Sequence, residues 1–109
     1  MDKQLQDKLR NLKIDLLSFL NVLAVSDSVA LDIGEISFST STPENNLRGV
    51  VGTLRRLDFN GESIIIPAGR DDKGRLRWRI NETVVSKNVL AKFLEDEILG
   101  KEGIKLKSN

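Results

Sequence analysis

Thr42 to Ile80 reads TPENNLRGVVGTLRRLDFNGESIIIPAGRDDKGRLRWRI, and the fold of the whole chain turns on how this stretch is read. Its opening carries three helix-start signals. Thr42 suits the N-cap, Pro43 the first helical position, and the Glu44 carboxylate complements the positive end of the helix dipole. Leu47, Val50, Val51, Leu54 and Leu57 then recur at helical spacing. A strand is excluded, because Val50–Val51 and Arg55–Arg56 would each straddle both of its faces. The opposite helical face carries Asn45, Arg48, Gly49, Gly52, Arg55 and Arg56. Each glycine inside a helix costs about 1 kcal/mol relative to alanine. Lacking side chains, the two glycines would let a partner's backbone approach closely, and simple solvent exposure accounts for them nearly as well.

Asn60-Gly61 signals a turn after this helix. The β-branched run Ile64-Ile65-Ile66 reads as a strand that Pro67 ends or confines to a sheet edge. Ala68 to Gly74 is a polar loop. Its Asp71-Asp72 pair reads as turn formers balanced by Arg70 and Lys73, not as metal ligands. From Arg75 to Ile80 the pattern alternates, with Leu76, Trp78 and Ile80 on one face and Arg75, Arg77 and Arg79 on the other. Three like charges on one strand repel each other, and an anionic partner would account for them.

Charge concentrates in the same stretch. Seven of the eight arginines fall between positions 48 and 79, where eight basic side chains face four acidic ones for a net +4. The rest of the chain holds nine basic and twelve acidic groups, net −3, although the total of +1 is nearly neutral. This asymmetry predicts one functional face and a structural remainder.

Outward from the centre, residues 2–25 read as one long amphipathic helix, with Leu5, Leu9, Leu12, Leu16, Leu20 and Leu23 at steps of four and three. Asp2 caps or complements its start. The stripe serves a core helix or a dimerisation seam about equally well. Residues 26–41 leave helix and strand open: Ser28 could cap a short helix over Val29–Ile33, while Ile36, Phe38 and Thr40 alternate with serines as a strand does. A C-terminal helix is predicted over 83–99, with Gly100 as its stop and 101–109 as a frayed tail.

Composition excludes several classes. The 109 residues predict a single domain over 1–109 with one modest core. With no histidine and no cysteine, serine–histidine and cysteine–histidine catalysis, disulfides and thiolate zinc sites are all ruled out. No catalytic constellation, cofactor or metal site is expected, so the chain reads as a non-enzyme. No apolar run approaches ~18 residues, and the N-terminus lacks a signal-peptide core, which predicts no membrane partner and a cytoplasmic location.

Taken in order, a helix followed at once by a basic hairpin resembles the winged helix-turn-helix DNA-binding superfamily over roughly residues 28–80. The resemblance implies a small α+β, winged-helix-like domain with long N-terminal and C-terminal helices. It assigns duplex-DNA contacts to Asn45, Arg48, Gly49, Gly52, Arg55 and Arg56 on a recognition helix, and to Arg70, Lys73, Arg75, Arg77 and Arg79 on the wing. It further implies a transcriptional regulator or a replication accessory factor, binding as a homodimer through its terminal helices. The chain departs from the pattern at Ile36–Thr42, seven residues where the motif has a turn of about three or four. Either the first helix of the motif is displaced, or Ile36–Thr40 is a strand in another α+β arrangement. The alternative functions are a protein-interaction module docking an acidic partner through the same face, or an RNA-binding α+β domain if 29–40 are strands. Trp78 reads as a core aromatic, which weakens any single-strand stacking role.

Overall fold

A computed structural model describes residues 1–101. The expected tail at 101–109 lies, beyond Lys101, outside the described residues. The fold is α+β. Five helices, α1 (Lys3–Arg10), α2 (Ile14–Val25), α3 (Ile33–Thr40), α4 (Glu44–Arg56) and α5 (Lys87–Lys101), surround three strands, β1 (Leu31–Asp32), β2 (Ile65–Arg70) and β3 (Leu76–Ile80). The sheet is antiparallel with order β1-β3-β2, and Leu31 and Pro67 flank Trp78 from either side.

The core is built around α2. Leu16, Leu17, Phe19, Leu20, Leu23 and Ala24 are all buried, and α2 packs against α3, α4, α5 and β3 at once. One long helix over 2–25 does not form. Asn11 donates its side-chain amide to the Asp7 carbonyl (3.0 Å), in competition with the helix's own ladder, and Lys13 is extended. The leucine spacing continues across the break because α1 and α2 both keep Leu5, Leu9, Leu16 and Leu20 inward. As expected, Asp2 caps α1 through a bond accepted from the Gln4 amide.

The ambiguous segment is a helix. Asp32 and Glu35 form a reciprocal capping box: the Asp32 carboxylate accepts from the Glu35 amide, and Glu35 from the Asp32 amide, both at 2.9 Å. Within α3 the apparent alternation breaks down, since Ile36 is fully buried whereas Phe38 is 88% exposed. The helix ends at Ser41, which adopts the left-handed conformation (φ 55°), and Ser37 donates its hydroxyl to the Thr42 carbonyl at 2.5 Å. Only Ser41, Thr42 and Pro43 separate α3 from α4. The N-cap falls on Pro43 and not Thr42, without a side-chain cap bond. Leu47, Val50, Val51 and Leu54 face the core as their spacing predicts.

Asn60 and Gly61 both take positive φ (58° and 85°) between the bridged pair Phe59 and Glu62, the backbone that an Asn-Gly turn requires. Pro67 does not end the run of isoleucines. It lies within β2, where its missing N–H is tolerated because β2 is an edge strand, and a bulge at Gly69 follows. Asn81 is buried and gives its amide to the Ser63 carbonyl (2.9 Å) and to Glu62 (3.1 Å), tying the hairpin's end to the approach of α5. The C-terminal helix begins at Lys87, four residues later than position 83, and runs through Gly100 to Lys101.

Ser41 holds a left-handed conformation that costs an L-residue roughly 1–2 kcal/mol. Ser41→Gly is therefore expected to stabilise the protein by up to about 1 kcal/mol, read as a higher urea midpoint at unchanged slope.

Candidate nucleic-acid interface

The outer face of α4 is open. Asn45, Arg48, Gly49, Arg55 and Arg56 are exposed, and Gly52 is half-buried. Arg48 donates to the Asn45 side-chain oxygen at 3.1 Å, which aligns two polar groups one turn apart near the helix N-terminus. A side chain at Gly49 would meet nothing within 4 Å, so no contact within the fold requires glycine there; at Gly52 it would approach the Arg56 guanidinium at 3.4 Å. Arg55 lies over the Trp78 ring, 5.3 Å from its centroid. Trp78 is only 5% exposed, so it serves as a core aromatic that steadies Arg55 and not as a platform for bases. Arg56 makes no ion pair with Asp58; that carboxylate accepts from the Gly61 amide at 2.6 Å instead.

The hairpin arginines divide into three groups. Arg70 and Lys73 are exposed at its tip, where Arg70 donates to the Gly74 carbonyl at 2.8 Å. Asp71 shapes this turn by accepting the amides of Lys73 (2.9 Å) and Arg75 (2.8 Å), as a turn former should. Arg75 is not free to face a partner alone. Its guanidinium pairs with Glu44 at 2.7 Å, and the Glu44 hydrogen bond and charge hold it protonated even more firmly than usual. This pair joins the hairpin to the first turn of α4. Arg77 and Arg79 occupy the sheet face opposite Trp78 and Ile80 and are half-buried. Arg77 sits in a depression with Asp27, Asp32 and Asp71, and its buried Nε has no partner.

The structure thus brings Asn45, Arg48, Arg55 and Arg56 onto one helix face, with Arg70 and Lys73 on the hairpin that Arg75 anchors to that helix. Arg77 and Arg79 stand on the sheet face away from Trp78, over whose ring Arg55 lies, although Arg77 still reaches the hairpin, where a side chain at Gly69 would meet its guanidinium at 3.8 Å.

Asp32 is the site residue that sequence reasoning missed, although the Asp32-x-x-Glu35 spacing is a capping-box signature. It is 7% exposed at the junction of β1, α3 and the hairpin turn. Burial, and then a hydrogen bond donated to the Asp71 carboxylate, push the Asp32 carboxyl above the ordinary aspartate range. Asp71 is pulled below it, first by accepting that bond and then by the Arg75 amide.

Among the described residues no group of three or more potential metal ligands is placed to hold a metal ion, and no helix is long and apolar enough to cross a membrane. No protein-family model matches the chain, and neither curated proteins nor solved structures gave a match.

The upward shift of the Asp32 carboxyl makes a signed prediction. Because the folded-state pKa of Asp32 is raised, its contribution is complete below the unfolded aspartate value of about 3.9 and is lost as pH rises through the folded value. Asp32→Asn keeps the cap acceptor and makes the donor to Asp71 permanent. Urea midpoints taken upward from about pH 4 should show the variant gaining on the native protein as pH rises, with no such divergence if the fold does not raise the Asp32 carboxyl.

Proposed function

We propose that this chain is a winged helix-turn-helix domain that binds duplex DNA. In this reading α3 and α4 are the paired helices, α4 enters the major groove, and the β2–β3 hairpin rests its tip on neighbouring phosphates. The observation that carries it is α4 itself. One face is buried through Leu47, Val50, Val51 and Leu54, while Arg48, Arg55 and Arg56 on the other are exposed and make no ion pair with a carboxylate among the described residues. The three-residue connection from α3 to α4 supports this reading, since most of Ile36–Thr42 belongs to α3.

Arginine can grip guanine edges or phosphates in two-pronged fashion, so the Asn45–Arg48 pair is assigned to base edges. Arg55, Arg56, Arg70 and Lys73 are assigned to the backbone. The RNA-binding alternative needed strands through 29–40, and α3 occupies most of that segment. The absence of histidine and cysteine from the sequence supports a binding domain over an enzyme, and a cytoplasmic regulator or replication accessory factor is the role that fits. Self-association is a separate element. Leu5, Leu9, Leu90 and Leu94 of the terminal helices are spent inside the fold, so a homodimer would have to meet through other residues.

Titration of a duplex with the protein over a salt series tests the reading. The log–log slope should be about −0.9 per phosphate neutralised. The double variant Arg48→Glu/Arg56→Glu should lose at least tenfold in affinity and flatten the slope by about 2, whereas Arg77→Gln/Arg79→Gln should change affinity less than about twofold. Absence of retardation at low salt by a folded protein removes the DNA reading, and equal effects of the two pairs remove the assignment of faces. Gly49→Ala adds a second check. It should raise stability by about 0.5–1 kcal/mol and weaken DNA binding, because a methyl group would intrude on a close approach. Unchanged binding would mean that Gly49 is simply solvent-facing.

A further inference from the structure

A second surface lies apart from the arginines. Three of the large apolar side chains that are exposed, Ile14, Val25 and Phe38, line the channel between α2 and α3. Phe38 is 88% exposed and Val25 59%, and they flank a groove of about 580 Å³ floored by Val22 and Leu31. The groove continues past Val22 and Ser39 toward Ile14 in a second depression of about 390 Å³.

Two observations bear on this groove. The first is the open side of α2, where Ile14, Val22 and Val25 stand among Asp15, Ser18 and Asn21, a mixed apolar and polar strip outside the buried arc of the helix. The fold covers three sides, with α5, α3 and α4, and leaves the Val22–Val25 side open. The second is charge. Among the described residues, the charged side chains lining the two depressions are both acidic, Asp15 and Glu35. A second copy presenting the same face would set carboxylates against carboxylates. DNA would be repelled.

We propose that the α2–α3 groove docks a basic amphipathic helix of another protein, with apolar side chains seated between Phe38 and Val22–Val25 and lysines or arginines against Asp15 and Glu35. Helix-in-groove binding matches a trough walled by two helices, and α2 offers roughly 18 Å of length at about 1.5 Å per residue. The inference does not rest on DNA binding. If both hold, the domain joins a basic protein segment to a duplex through separate faces.

Two synthetic amphipathic helices with one apolar face, carrying either lysine or glutamate on the polar face, test this against the ¹⁵N-labelled 109-residue chain. The lysine peptide should shift the amides of Val22, Val25 and Phe38 and bind at least about tenfold more tightly than the glutamate peptide. Phe38→Ser should weaken it about tenfold while the melting temperature and duplex retardation stay as in the native protein. The proposal is overturned if neither peptide moves those amides, or if both bind alike. It is also overturned if the same amides shift with protein concentration alone, which would mark a self-interface, or on deletion of 102–109, which would mark the chain's own tail as the occupant. A lowered melting temperature for Phe38→Ser would likewise assign that ring to the fold.

Discussion

Everything else in the structure depends on the burial of α2. Leu17, Phe19 and Leu20 are completely enclosed, and each such side chain is worth roughly 1.5–3 kcal/mol when withdrawn from water. Because α2 touches three other helices and the central strand, it fixes the distance between the helical pair and the sheet. Its broad buried face leaves α3 and α4 to lie on one flank and α5 on another, and it is why the inner face of α4 is consumed and only the arginine face remains outside.

Orientation within that frame comes from polar contacts. Glu44 at the start of α4, Arg75 at the end of the hairpin turn, and the Asp32–Asp71 carboxyl pair between them connect three segments far apart in sequence. The capping box that starts α3 uses the same Asp32, so the helix begins where the hairpin docks. Arg75 also crowds the start of α3: a side chain at Gly34 would come within 2.8 Å of its guanidinium. Small size at position 34 thus belongs to the same arrangement. The hairpin is held as an arm of set direction.

How much of this was legible in the sequence depended on how local the cause was. The α4 core face and the Asn60-Gly61 turn rest on neighbours within a few residues, and they could be read directly. The α3 helix was obscured because Ile36, Phe38 and Thr40 mimic a strand, although the Asp32–Glu35 box was there to be found. The break before Lys13 was invisible for the opposite reason: both helices send their leucines into one core, so the spacing never falters. The division of the arginines could not be read at all. Arg75 is taken by Glu44, 31 residues away, and only the packing of α4 against one sheet face tells Arg55 apart from Arg77.

The position of Pro67 has a further consequence. A three-stranded sheet ordinarily leaves two edges whose unpaired amides and carbonyls invite another chain to add a strand. Here one edge, β1, is only two residues long. The other, β2, is interrupted by a proline that offers no donor and then by the bulge at Gly69. Neither edge can template a neighbour. The sheet is closed to backbone recruitment, and any partner must be met through side chains.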